Sequence, residues 1–180
     1  MGLYELAQLL FAVLWGLGAA LLPVFVNAEV YVLALAVKVD SKPFLALLLV
    51  VHVAATTVGK AFVFQLARKG TNKVRMATPK PPKNAFSAWL RGVGRRISRS
   101  AVGRGLKRLS DWLLALLDRP YPGGLTTFLS SLIGVPPLAI VTILAGASKQ
   151  PLGVFLTMVF AGRLIQFLAI AFLLHQVSWL

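Results

Sequence analysis

Four long apolar runs, two whole and two broken at their centres, constrain this chain more than anything else in it. Phe44–Ala67 and Leu152–Val177 are continuous, while 6–37 is cut by Pro23, Asn27 and Glu29, and 125–147 is cut by Gly134-Val135-Pro136-Pro137. A helix needs about 20 apolar residues to cross a bilayer, so each whole run is long enough to span. Runs without a polar face do not fit the surface helices of a soluble domain. The chain is 58% hydrophobic, against roughly 45–50% in average soluble domains. The sequence predicts an all-α integral membrane protein.

The broken runs need a different geometry. Run 6–37 holds 32 residues, too many for one comfortable span, and its second arm, 30–37, is too short to cross alone. Proline inside a helix removes a backbone donor and costs about 3 kcal/mol. In lipid the freed carbonyls need protein or water partners. Each broken run therefore reads as a re-entrant helical hairpin that enters and leaves the membrane on one side. Two units follow: residues 1–68, with hairpin 6–37 and transmembrane helix 44–67, and residues 120–180, with hairpin 125–147 and transmembrane helix 151–177. The links from hairpin to helix are alike, Asp-Ser-Lys-Pro at 40–43 and Ser-Lys-Gln-Pro at 148–151. Inverted repeats with broken helices are a recurring transporter architecture, with the site near the bilayer midplane.

Charge sets the orientation. The net charge is +14, and thirteen of the nineteen Lys and Arg lie between Arg68 and Arg108, a stretch with no Asp or Glu. Loops rich in Lys and Arg stay on the cytoplasmic side. This places 69–119 in the cytoplasm and makes the two units opposite in orientation. Three prolines, Pro79, Pro81 and Pro82, with five basic residues, predict an extended linker over 69–84. Over 85–118 apolar residues recur at helical spacing among arginines, which predicts a bent amphipathic helix on the inner leaflet. Arg91, Arg95, Arg96 and Arg99 are its expected contacts to anionic membrane lipids, a nearer partner than nucleic acid.

Glu29 stands alone in apolar surroundings. A carboxylate at membrane depth must be neutralised, paired or open to water, and it marks a functional site by default. Proton coupling and contact with a cationic group are the roles it can fill. Lys60 follows Gly59 and Arg163 follows Gly162, each pair inside a whole run. The glycine lets another segment approach closely. The cation beside it can hold Glu29 or a phosphate, arginine bidentately. Pro23, Asn27, Pro136 and Pro137 shape the hairpins, and Asn27, Thr56, Thr57 and Gln166 are read as partners for broken backbone. His52 and His175 are isolated. There is no cysteine and no His/Asp/Glu cluster of metal-ligand spacing. Nor is there a serine elbow, a P-loop or a dinucleotide fingerprint. No metal, no cofactor and no enzymatic activity is expected.

The stretch GVPPLAIVTILAGASKQPLGVFLTMVFAGRLIQFLAIAF, 134–172, resembles the C-terminal half of the DedA superfamily (the VTT, or SNARE-associated, membrane domain), with the YqaA-type branch nearest. Pro137, Ala145, Gly146, Phe155, Gly162 and Arg163 follow that family's order. In the first half, Pro23 with Glu29 resembles the family's proline–glutamate hairpin motif. Gly59-Lys60 followed by Phe64 and Arg68 resembles its glycine and aromatic helix ending in a basic residue. The resemblance implies a multi-pass transporter or flippase in a bacterial inner membrane. Its substrate would be a phosphate-bearing lipid, a polyprenyl phosphate or a phospholipid. Glu29 would couple to protons and Arg163 and Lys60 would meet the phosphate. A homo-oligomer stays open. The resemblance also implies a basic residue just after the second proline motif, where this chain has Ala139. Two other readings fit the composition: a membrane-anchored scaffold or lipid-binding protein acting through its basic segment, and a small exporter of cations or drugs.

Overall fold

The computed structural model describes residues 2–22, 27–39, 41–76 and 101–177. Among these residues the chain forms seven helices and no strand: α1 Leu3–Leu21, α2 Ala28–Lys38, α3 Lys42–Met76, α4 Ala101–Leu117, α5 Pro120–Ile133, α6 Leu138–Ala147 and α7 Leu152–Val177. Three are long and apolar enough to cross a membrane: α1, α3 over Lys42–Thr71, and α7 over Leu152–Leu174. By contrast α2 and α6, with 11 and 10 residues, reach only about 15 Å at 1.5 Å per residue, half of a hydrocarbon core.

Local chemistry sets the breaks. Asn27 caps α2, its side chain accepting from the Glu29 backbone N–H at 2.9 Å, which meets one of the donors a helix start leaves open. At the other break Gly134 ends α5 with φ 83°, a left-handed turn that favours glycine. Pro137 then stands just ahead of α6, where its missing N–H costs nothing. The Ser130 hydroxyl donates to the Pro136 carbonyl across this turn. Pro23 lies outside the described residues.

The extended linker expected over 69–84 is not found over its first eight residues, which are helical. Helix α3 continues through Arg68 and Lys69 to Met76. Gly70 is tolerated there, and Thr71 donates back to the Ala67 carbonyl at 2.9 Å. The prolines that disfavour helix in the residue before them start only at Pro79. Residues 77–100, with Arg91, Arg95, Arg96 and Arg99, lie outside the described residues. Of the amphipathic segment, α4 buries Leu113 and Leu117 and exposes Leu109 and Trp112. It packs on α5 and α6.

Helix pairing organises the rest. α1 lies along α3, with Gly16 against His52 and Gly59 against Ala20; α5 lies along α7, with Gly124 against Val154 and Gly162 against Phe128 and Ser131. In both pairs the numbers rise together, so the partners run parallel. α3 and α7 run antiparallel, since His52 meets Phe167 and Phe64 meets Phe155. The short helices cross over: α2 packs on α7, and α6 packs on α3. One core gathers Ala12, Val32, Leu48, Val53 and Phe167; the other gathers Phe64, Leu117, Val141, Phe155 and Val159.

These close approaches depend on missing side chains. A methyl at Gly146 of α6 would meet the Phe64 carbonyl and lie 2.9 Å from Ala67 Cβ. Backbone cannot swing aside, so Gly146→Ala is expected to lower stability by about 1–3 kcal/mol. Gly153→Ala, whose methyl meets open space, is the control with no such loss. Thermal unfolding in detergent reads both.

Candidate functional site

The two breaks meet around one cavity. Its volume is about 240 Å³, and it is lined by Asn27, Glu29, Thr56, Lys60, Gly134, Pro137, Ala139 and Arg163, with Ala19, Ala28 and Leu138. Five helices contribute: the end of α1, the starts of α2 and α6, the middle of α3 and the middle of α7, with Gly134 from the turn after α5. Asn27–Glu29 opens α2 and Pro137–Ala139 opens α6, so two helix N-termini end in the same space. The first N–H groups of a helix have no partner within it and carry the positive end of its dipole. Such ends favour an anion.

Arg163 Nη1 donates to Glu29 Oε1 at 2.7 Å and to Gln166 Oε1 at 2.9 Å. The pair joins residues far apart in the chain and links α2 to α7. The Arg163 side chain is 13% exposed and that of Glu29 39%, so the carboxylate is the wetter partner, open to the cavity. The guanidinium also sits over the Phe167 ring, 5.4 Å from its centroid, and its Nε has no partner. Lys60 is buried, and its Nζ donates to the Ala20 carbonyl at 3.3 Å rather than to Glu29. The walls thus hold two cations and one carboxylate. A buried charge without a counter-charge is costly, and the two helix ends add to the positive side. The arrangement suits an anion with several acceptor oxygens.

The remaining residues singled out from the sequence take varied places. Gly59 and Gly162 lie under Ala20 and Ser131, one residue before Lys60 and Arg163. Thr56 and Thr57 donate to the carbonyls of His52 and Val53 in their own helix. They do not serve the broken segments, because a Thr hydroxyl in a helix reaches the carbonyl four residues back most easily. Gln166 accepts from Arg163. The Asn27 carbonyl accepts from Trp15 Nε1 at 3.1 Å, tying the break to α1.

Two residues have more to do than the sequence suggested. His52 is fully buried, and its Nδ1 donates to the Ala12 carbonyl at 3.2 Å. Its ring lies between Tyr31, at 4.7 Å, and Phe167, at 5.8 Å. It binds α1, α2 and α7 to α3, and its Nε2 has no partner. The signal was its spacing: His52, Thr56 and Lys60 fall at i, i+4 and i+8, one polar stripe on one helix face. Arg68 donates to three carbonyls at the end of α6, from Nε to Gly146 at 3.3 Å and from Nη2 to Ser148 at 3.2 Å and Gln150 at 2.6 Å. Among the described residues no group of three His, Cys, Asp or Glu could hold a metal ion. No protein-family model matches the chain, and neither a curated protein nor a solved structure matches it.

Proposed function

We propose that the chain is a multi-pass transporter of the DedA type, moving a phosphate-bearing lipid across a bacterial inner membrane. In this reading α1–α2 and α5–α6 are re-entrant hairpins of two inverted repeats, and the basic segment between them is cytoplasmic. The observation that carries it is the cavity: two helix N-termini, Lys60 and Arg163 against the single carboxylate of Glu29. Half-helices whose N-termini face an anionic group at mid-membrane are the binding device of broken-helix transporters.

Helix pairing supports the repeat. α1 on α3 corresponds to α5 on α7, and α2 on α7 corresponds to α6 on α3. Gly59-Lys60 and Gly162-Arg163 occupy matching places, each glycine beneath the end of a broken helix. The resemblance implies a cation at position 139, and this chain has Ala139 on the cavity wall. Lys60, on the neighbouring helix, supplies the second cation in its place.

The mechanism follows from one exchange. A lipid phosphate entering the cavity competes with Glu29 for the fork of Arg163, which bonds a phosphate bidentately. A proton taken up by Glu29 removes that competitor and leaves Arg163 to the phosphate. Loss of the proton restores the ion pair and expels the headgroup.

Reconstitution in vesicles tests this. Vesicles holding the protein should move a phosphate-headgroup lipid between leaflets faster than empty vesicles, and a proton gradient should change the rate. Glu29→Gln should remove the gradient dependence. Lys60→Gln should slow transport about tenfold, the worth of one charged hydrogen bond to phosphate. Equal rates in empty and loaded vesicles would end the transport reading.

A further inference from the structure

Two apolar grooves lie to either side of the cavity along the fold. The first, about 430 Å³, is lined by Phe11 of α1 and by Tyr31, Ala34, Leu35 and Lys38 of α2. These α2 residues share one helix face, which begins two residues past Glu29 and ends at the last residue of the helix. The second, about 310 Å³, is lined by Trp112 and Leu116 of α4, by Leu125 and Leu129 of α5, and by Val135 and Pro136. Val135 and Pro136 sit between Gly134 and Pro137, which line the cavity. One four-residue turn therefore separates groove from cavity.

Helix α7 shows that the grooves diverge. Glu29, at the start of α2, pairs with Arg163 near the middle of α7, whereas Val39, just past the end of α2, shares a core with Ala171. Gly124, near the base of α5, packs against Val154. The grooves thus run to opposite ends of a helix of 26 residues, about 39 Å long at 1.5 Å per residue.

We infer that both grooves hold the hydrocarbon chain of the transported lipid, one groove for each leaflet, while its phosphate occupies the cavity between them. This rests on the proposed phosphate reading and extends it. A molecule that fits the cavity and a groove together must be anionic at one end and apolar along its length. At the second groove the turn Gly134–Pro137 sets where the two parts join. A free phosphate would leave both grooves without a role. As the headgroup passes the cavity, the chain leaves one groove and enters the other, and never has to cross the polar site.

The cysteine-free chain makes the test direct. Ala34→Cys places a fluorophore in the first groove and Thr126→Cys places one in the second. Leu173→Cys, on the exposed surface of α7, is the control. Each is mixed in lipid nanodiscs with phosphatidic acid carrying a nitroxide on its chain, or with diacylglycerol carrying the same labelled chain. Quenching at positions 34 and 126 should be at least ~3-fold stronger for the phosphate lipid, and equal for the two lipids at 173. Equal quenching by the two lipids in the grooves overturns the inference. Phosphorus NMR of inorganic phosphate with the same discs separates the two failures. Binding there without a groove preference removes the grooves and leaves the anion site. Neither binding nor preference removes both.

Discussion

Arg163→Gln is expected to abolish the proposed lipid transport, cutting its rate at least ~100-fold, and to lower stability in the same step. A hundredfold loss corresponds to about 2.7 kcal/mol, within the range of a lost charged hydrogen bond together with the partner it strands. That partner is Glu29, held at 2.7 Å by Arg163 Nη1. Without the guanidinium the carboxylate faces a cavity whose remaining lysine or arginine, among the described residues, is Lys60, and α2 loses its ion pair to α7. Glu29 is 39% exposed, so the stability cost falls below the 3–5 kcal/mol seen when a fully buried pair is broken. The double variant Glu29→Gln/Arg163→Gln puts two amides in contact, with no charge left to strand. It should regain most of the stability and none of the transport. A thermal-unfolding cycle over the four proteins should return an interaction of about 1–3 kcal/mol. Additive effects would mean that the pair does not couple the two halves.

Arg68→Ala is expected to cost about 3 kcal/mol, for a different reason. Its guanidinium serves the Gly146, Ser148 and Gln150 carbonyls at the C-terminal end of α6, where a cation also meets the negative end of the helix dipole. It also lies over the Phe64 ring, 4.6 Å from the centroid. Hydrogen bonds from a charged donor contribute about 1.5–3 kcal/mol each and do not add fully when shared by one group. Arg68→Lys keeps the charge and loses the planar fork, so it should recover less than half of the loss. The measurement is the unfolding midpoint. If Arg68→Lys matched the parent, the fork would have no special part. Transport should fall with stability in this series, in contrast to Lys60→Gln, which leaves the helix packing intact.

The apolar runs made the helices legible because a long apolar run satisfies its own backbone only as a helix. Four runs became α1 with α2, α3, α5 with α6, and α7, and the breaks fell at Asn27 and Gly134, where capping and left-handed turns need those residue types. Glu29 and Arg163 stood out because ionisable residues are rare in such runs, and the structure joins them. Lys60 stood out for the same reason, but its bond goes to Ala20. The end of α3 is not legible from charge, because composition turns basic at Arg68 while helix-breaking prolines come eleven residues later. The role of Arg68 was hidden because its partners are carbonyls, which any residue carries, some eighty positions away. His52 is isolated in the sequence, since its neighbours Ala12, Tyr31 and Phe167 come from three other helices. The crossing of α2 to α7 and of α6 to α3 has no local signal at all; it is decided by packing between apolar surfaces that read alike.

That crossing bears on how the molecule is made. Neither half owns a finished interior, because each long helix receives its lid from the other half. Docking of the short helices therefore depends on contacts between distant parts of the chain. Synthesis runs from the N-terminus, so α2 leaves the ribosome long before α7 exists to receive it. Until then α2 has only the contacts of its own half, among them those to Trp15 and His52, and Glu29 lacks the guanidinium that pairs with it.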